Sequence, residues 1–216
     1  TGEHTIARHV RDLELLLDAW GYRQVVLLGH SFGTDLVSYF LLAHPERVAG
    51  VIYVAGPFLW SWRGGDVLRR TAAQQARLDQ LAAAEVRTEA EETELLTLAW
   101  FTDHADRGRA WEWAQDAARA LRPVNWVMNA QLNAAKKAYP LESRVDRLRE
   151  LLPAGSAIIG GAGDPRPAGN LRRLAALLGC PVVILPGAGH HSWRERPAEF
   201  RSAVRRLAAG FRASTS

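Results

Sequence analysis

The sequence predicts an α/β fold, in which helices flank a mostly parallel sheet and an α-helical cap is inserted into the chain. Four short apolar runs have the length and the β-branched content of buried strands. Helical patterns separate these runs, so neighbouring strands can lie parallel in one sheet. The four runs lie at 25–28, 51–55, 157–161 and 181–185.

Residues 1–62 are predicted to form the first segment of the core. Apolar residues recur at helical spacing from Ile6 to Trp20, and Thr5 is a suitable N-cap for this helix. Alternating helices and strands of this kind build a parallel unit of a sheet. The predicted elements are a helix over 5–20, the strand at 25–28, a helix over 34–43 and the strand at 51–55.

Residues 63–140 are alanine-rich and helical, and they contain no strand candidate. Asp66 can cap a first helix, and Thr88 with Glu91 forms a capping-box pattern for another. We interpret this stretch as a cap, or lid, that lies over the edge of the sheet. Two more helices are predicted over 107–121 and 124–138.

Residues 141–216 return to alternating helices and strands, and we interpret them as the second segment of the core. The last helix would bury Phe200, Val204 and Phe211 on one face. The predicted elements are a helix over 144–152, the strand at 157–161, a helix over 170–178, the strand at 181–185 and a helix over 197–211.

Composition and charge exclude several classes of function. The chain has 216 residues, of which 48% are hydrophobic and 23% charged, as in ordinary globular proteins. Its net charge is +4, but the arginines are scattered, so no nucleic-acid surface is predicted. The sequence shows no apolar run of membrane length and no signal peptide, so we expect a cytoplasmic protein without a membrane partner. A lone Cys180 excludes an internal disulfide and a thiolate metal cluster.

The first strand runs into the turn Gly29-His30-Ser31-Phe32-Gly33, and a helix follows at once. This strand–turn–helix context predicts that Ser31 is an exposed nucleophile at the tip of a strained turn. Gly29 and Gly33 are expected to remove side chains that would clash where the chain doubles back. The backbone N–H of Phe32, at the start of the helix, would stabilise an oxyanion.

Two more chemical groups follow the carboxyl ends of later strands, where α/β sheets expose functional residues. Asp164 follows the third strand, and His190 with its neighbour His191 follows the fourth. A hydroxyl nucleophile needs a base, and the base needs an orienting partner. Ser31, His190 and Asp164 supply these roles in the order serine, acid, histidine. Adjacent histidines without a third ligand at suitable spacing do not predict a metal site.

The chain resembles the serine-dependent α/β-hydrolase family in these motifs and their order. The resemblance implies that the base directly follows Gly-x-Gly, which favours His190 over His191. Some relatives carry the acid after the second strand, but that strand ends in Ala55-Gly56-Pro57, without a carboxylate. The helical insertion resembles lidded branches, both proline-iminopeptidase-like and esterase-like. The motifs are 29–33, His44-Pro45-Glu46-Arg47-Val48, Gly163-Asp164-Pro165, 186–190 and 195–200.

The family sheet usually has about eight strands, and only the last four are identified here. No His-Gly loop that would complete the oxyanion hole is found before Ser31. The strand at 25–28 would then be a bare apolar edge, which folded proteins avoid. We expect the N-terminal strands to be missing, and this edge to pair with them or with a second copy in a homo-oligomer. The chain alone is expected to be poorly soluble or weakly active.

The predicted function is hydrolysis of an ester, amide or peptide bond in a small substrate, without a cofactor, through an acyl intermediate on Ser31. A small carboxylic ester and an N-terminal prolyl peptide both remain open as substrates. The prolyl substrate would need cap carboxylates to bind its ammonium group. A non-catalytic module that binds a ligand or partner is the alternative. The available carboxylates are Glu89, Glu91, Glu92, Glu94, Asp103 and Asp106.

Overall fold

The structure, a computed structural model, describes residues 3–60 and 70–213, with side chains as far as Phe211. The predicted boundary between core and cap, at residues 62 and 63, lies outside the described residues, as does the predicted helix cap Asp66. No helix in the described ranges is both long enough and apolar enough to cross a membrane.

In the described part of the chain, four strands form one parallel sheet, and their spatial order follows the order of the sequence. The register pairs Leu28 with Ile52, Tyr53 with Ile158, and Ile159 with Val183. This arrangement confirms the predicted parallel α/β sheet. The strands are β1 (Val25–His30), β2 (Val48–Val54), β3 (Ala157–Gly161) and β4 (Val182–Leu185).

Helices cover both faces of the sheet. Alternate residues of β2 point to opposite sides: Val51 and Tyr53 face one apolar cluster, whereas Ile52 and Val54 face the other. The first cluster is closed by the helices α1 (Ile6–Ala19), α2 (Phe32–Ala43), α7 (Val145–Leu151) and α8 (Ala168–Leu178), and the second by α10 (Pro197–Ala213). The short helix α9 (Ser192–Glu195) precedes α10.

Among the described residues, four helices lie between β2 and α7 and form the predicted helical insertion. They have a small apolar core of their own, which includes Leu81, Leu98 and Phe101. The capping box of Thr88 and Glu91 is present, with reciprocal backbone hydrogen bonds. The helices are α3 (Ala72–Ala83), α4 (Glu89–Trp100), α5 (Ala110–Ala120) and α6 (Trp126–Ala138).

The strand β1 lies at one edge of the sheet and, among the described residues, pairs with β2 alone. Val25 and Leu27 pack against the apolar cluster under α1 and α2. Val26 and Leu28 point to the other face and are 43% and 49% exposed. The sheet therefore has one apolar edge that nothing in the described part of the chain covers.

Candidate active site

Ser31 lies in the turn that joins β1 to α2. Its φ of 52° and ψ of −121° fall outside the regions that non-glycine residues ordinarily occupy. The Ser31 N–H donates to Val54 O at 3.0 Å, which extends the strand pairing, while Ser31 O accepts from Thr34 N at 2.9 Å. The same residue thus ends a strand and opens a helix, the strained geometry that exposes a nucleophile.

The two glycines of the turn have different roles. A Cβ at Gly29 would lie 2.5 Å from Gly33 O and 2.9 Å from Thr34 N, so a side chain there would collide with backbone. A Cβ at Gly33 would meet no atom within 4 Å in the described part of the structure outside its own helix. The predicted steric reason is therefore supported for Gly29 and wrong for Gly33, whose backbone is the surface that Gly29 approaches.

The Phe32 amide is the first of α2, and it donates to no acceptor within residues 3–60 and 70–213. Unpaired N–H groups at a helix N-terminus attract negative charge. The amide follows the nucleophile directly in the chain, which is the position from which it can stabilise a developing oxyanion.

Asp164 and His190 meet at the carboxyl ends of β3 and β4. The imidazole Nδ1 of His190 lies 2.7 Å from Asp164 Oδ2, and both side chains are buried. The ring that meets Asp164 is that of His190, whereas His191 turns towards His30 and His104. A carboxylate at Nδ1 holds the proton there, which leaves Nε2 free to accept one.

His190 and Arg166 together favour the ionised form of Asp164. Burial would raise the pKa of Asp164, but the His190 hydrogen bond and the charge of Arg166 outweigh it and lower the pKa below its usual value. Asp164 Oδ1 accepts from Arg166 N at 2.9 Å and from Arg166 Nη1 at 3.2 Å. No sequence motif marks Arg166, although it lies only two residues after Asp164.

His30 links the nucleophile turn to the His190 loop. The His30 and His190 ring centroids lie 4.6 Å apart, and His30 Nε2 is 3.1 Å from His190 O. Ser31 and His190 therefore lie on the same side of the sheet, at the carboxyl ends of the strands. The Ser31 hydroxyl makes no hydrogen bond to any described residue. In free enzymes the contact between nucleophile and base is often long and shortens when substrate binds.

Further aromatic rings surround His190. His30, His191 and His104 form a chain of ring contacts with His190, flanked by Trp193 and Trp113. Burial, with the charge of His190 as a smaller cause, lowers the pKa of His30 from 6.5 to about 4 and that of His191 to about 3. No three His, Cys, Asp or Glu side chains among the described residues converge so as to hold a metal ion.

These two histidines predict a loss of stability in mild acid. The unfolded chain protonates them near pH 6.5, whereas the folded chain resists until about pH 4 and pH 3. Their contribution is therefore complete above pH 6.5 and is lost progressively as the pH falls from 6.5 to the folded values. We expect the unfolding free energy to fall by about 2 kcal/mol between pH 7 and pH 5.5, a range in which ordinary carboxyl groups remain largely ionised. Urea unfolding of wild type and of His30→Gln/His191→Gln measures this, and an equal fall in both proteins would contradict it.

A partly buried ion pair lies one helical turn beyond Ser31. Lys136, on α6 of the cap, places Nζ 2.9 Å from Asp35 Oδ1, and 5.7 Å from the Phe32 ring centroid. The Asp35 side chain is 5% exposed and that of Lys136 33%. No sequence pattern indicates that Asp35 has a partner in the cap. The pair connects α6 of the cap to α2, the helix that follows the turn at Ser31.

Lys136→Met is expected to destabilise the fold by about 3 kcal/mol, because Asp35 would remain buried without a counter-charge. Lys137→Met is the matched control, since its exposed side chain should change stability by less than about 0.5 kcal/mol. Adding Asp35→Asn to Lys136→Met should recover part of the loss. Equal stabilities of the two lysine variants in urea unfolding would show that the pair contributes nothing.

Comparison with known proteins places this geometry in a family. A family model described as the alpha/beta hydrolase fold matches residues 2–197. A thermophilic esterase from Thermogutta terrifontis is 20% identical, with a TM-score of 0.71 over 97% of this chain and 74% of its own. A hydrolase from Pseudomonas aeruginosa is 25% identical, with a TM-score of 0.69 over 96% of this chain and 73% of its own.

A further match is a membrane phospholipase A described as a bacterial virulence factor. It is 19% identical, with a TM-score of 0.66 over 98% of this chain. This chain spans only 65% of the length of that protein. The family model covers far more than half of the sequence, and the parallel sheet flanked by helices agrees with the fold it describes. The chain therefore belongs to the α/β-hydrolase fold family.

Proposed function

We propose that the chain is a serine hydrolase, which cleaves an ester or amide bond of a small substrate through an acyl intermediate on Ser31. The observation that carries this proposal is the 2.7 Å contact between His190 Nδ1 and Asp164 Oδ2. This contact lies at the carboxyl ends of the strands, where Ser31 is also held, in a strained turn with a φ of 52°. Nucleophile, base and orienting acid are the three groups that acyl transfer requires.

In the proposed reaction, Ser31 Oγ attacks the substrate carbonyl while His190 Nε2 accepts the hydroxyl proton. The Phe32 N–H donates to the oxyanion of the tetrahedral intermediate. His190 then passes its proton to the leaving group, and an acyl-Ser31 ester remains. A water molecule, deprotonated by the same imidazole, attacks this ester and releases the acid and free Ser31. Asp164 stays ionised throughout and stabilises the imidazolium. No step needs a cofactor.

The cap favours an ester over a prolyl peptide. Binding a prolyl ammonium group would need free carboxylates, but those considered in the sequence analysis already have partners inside the protein. Glu94 pairs with Arg77, Glu92 with Arg87 and Asp103 with Arg166. The others are also engaged: Glu89 pairs with Arg122, Glu91 caps α4, and Asp106 accepts from the backbone of Gly108 and Arg109. The names of the esterase and phospholipase neighbours agree with this preference.

A substrate comparison tests the proposal. We expect turnover of p-nitrophenyl acetate and butyrate, little or none of proline p-nitroanilide, and loss of activity in Ser31→Ala. Ser202→Ala, an exposed serine on α10, should retain full activity. Preference for the prolyl substrate would replace the esterase assignment with an aminopeptidase. Esterase activity that persists in Ser31→Ala would overturn the mechanism. Absence of all turnover would favour a binding module that keeps the fold.

The open edge of β1 is proposed to mediate pairing with another strand, in the simplest case with a second copy of the chain. Unpaired N–H and C=O groups beside exposed Val26 and Leu28 form a template for strand addition. We expect association that increases with concentration in sedimentation velocity, and a shift towards monomer in Val26→Lys, whose charge opposes edge pairing. A monodisperse and fully active wild-type monomer would contradict this prediction.

A further inference from the structure

We propose that Asp103 in the cap and Arg166 in the core act together as positioning residues for His190 and Asp164. This inference rests on the proposed function. In it, a carboxylate of the cap balances the charge of Arg166 beside the Asp164–His190 pair, and so influences the pH range in which His190 can accept a proton. Asp103 lies in the short turn after α4, and Arg166 lies in the loop between β3 and α8.

Backbone contacts first fasten the cap to the histidine loop. The His190 N–H donates to Asp103 O at 2.8 Å, so the cap directly holds the backbone of the base. One oxygen of the buried Glu195 accepts from Ala105 N at 2.8 Å and Asp106 N at 3.0 Å. The other Glu195 oxygen accepts from Gly189 N. A single carboxylate therefore binds the cap segment and the residue before His190 together.

Glycines allow this close approach. A Cβ at Gly189 would lie 2.5 Å from Asp103 O, and one at Gly163 would lie 2.6 Å from Ala105 Cβ. These two glycines directly precede His190 and Asp164. The cap segment thus packs against both loops that carry the base and its acid, at positions where no larger residue fits.

Arg166 then connects the two carboxylates. Its Nη1 lies 2.9 Å from Asp103 Oδ1 and 3.2 Å from Asp164 Oδ1, and all three side chains are largely buried. One cation is shared between two anions, so the three groups together carry a single negative charge. Without Asp103, the positive charge of Arg166 would act on the Asp164–His190 pair with no opposing carboxylate.

Other groups also face His190 and must be considered. His30 approaches from the nucleophile turn, His191 adjoins the base, and His104 contacts His191 from the cap. Burial lowers the pKa of each of these three. Glu195 contacts only backbone N–H groups in this segment. Glu195 and these three imidazoles stay unchanged in every variant, so substitution of Asp103 or Arg166 isolates the effect of that one charge on the base.

Opposite charge changes provide the test. Asp103→Asn leaves the cation less compensated and should shift protonation of the base to lower pH. Arg166→Met removes the cation and should shift it to higher pH, each by about 0.5 to 1 pH unit. The double variant restores the original net charge and should return close to wild type. Asp106→Asn is the matched control, because Asp106 contacts the backbone of its own turn and not Arg166.

Two readouts separate this inference from the proposed function. The pH dependence of kcat/KM for p-nitrophenyl butyrate, on its acid side, reports protonation of the base during turnover. Proton NMR titration of the imidazole rings, with the His190 signal assigned by His190→Gln, reports it without turnover. Opposite shifts in the two single variants support the inference. Unchanged midpoints, or shifts in the same direction, would overturn it even if activity or stability falls, because a purely structural brace would not move the titration. If wild type is inactive, the NMR titration still decides.

Discussion

Replacing Asp164 with asparagine is expected to lower kcat about 10⁴-fold with little change in KM. Asparagine keeps an oxygen for the two donors of Arg166, so the loop should retain its structure. Its amide, however, donates where the carboxylate accepts. His190 would then be held with its proton on Nε2, where it cannot take the proton of Ser31.

The matched control is Asp146→Asn, in which a fully exposed carboxylate at the start of α7 is neutralised by the same change. It should retain wild-type kcat. Circular dichroism and urea unfolding of both variants would exclude misfolding as the cause. A loss of less than tenfold in Asp164→Asn would mean that another residue orients the base.

Gly29→Ala should destabilise the protein by roughly 3 kcal/mol or more, at the upper end of the cost of overpacking. The added Cβ would lie 2.5 Å from Gly33 O, and backbone atoms cannot rotate away as a flexible side chain can. Relief would require the turn to open, which would also displace Ser31 and reduce turnover. Urea unfolding and ester hydrolysis measure the two consequences.

Gly33→Ala, in the same turn, should have the opposite effect on stability. A Cβ at this helical position meets no described atom outside α2, and alanine favours a helix over glycine by about 0.5 to 1 kcal/mol. The unfolding free energy should therefore stay equal or rise. Similar losses in both variants would show that the turn is sensitive to any side chain, and not to the specific contact between Gly29 and Gly33.

The sequence predicts the order of elements well because each one buries a regular apolar face. The run from Val51 to Ala55 is apolar throughout, as both faces of β2 are covered. Thr5 caps α1 by accepting from Arg8 N, as its position before the apolar pattern indicates. Boundaries are less predictable: α2 begins at Phe32 rather than Thr34, because the turn itself feeds directly into the helix.

The start of α3 is another helix boundary that the sequence does not predict well. Thr71 and Gln74 exchange backbone hydrogen bonds at its start, but an alanine-rich helix with little apolar pattern gives few signals of where it begins.

The polar groups behind the candidate triad depend on contacts between distant parts of the chain. Arg166 meets Asp103 across 63 positions of sequence, and Glu195 meets Ala105 across 90. Periodicity and local motifs carry no information on such pairs. Ser31, Asp164 and His190 could be proposed because each follows a strand end in a known chemical order, whereas Lys136 lies inside an ordinary helix and nothing local marks its bond to Asp35.

The central claim is that Ser31 is an activated nucleophile, and its most direct test is covalent labelling with a fluorophosphonate. Intact mass should show one adduct on wild type, none on Ser31→Ala, and strongly slowed labelling of His190→Gln. Such a reagent reports activation of the serine without requiring the natural substrate. Absence of an adduct on folded wild-type protein, or an adduct that persists in Ser31→Ala, would contradict the assignment of Ser31 as the nucleophile.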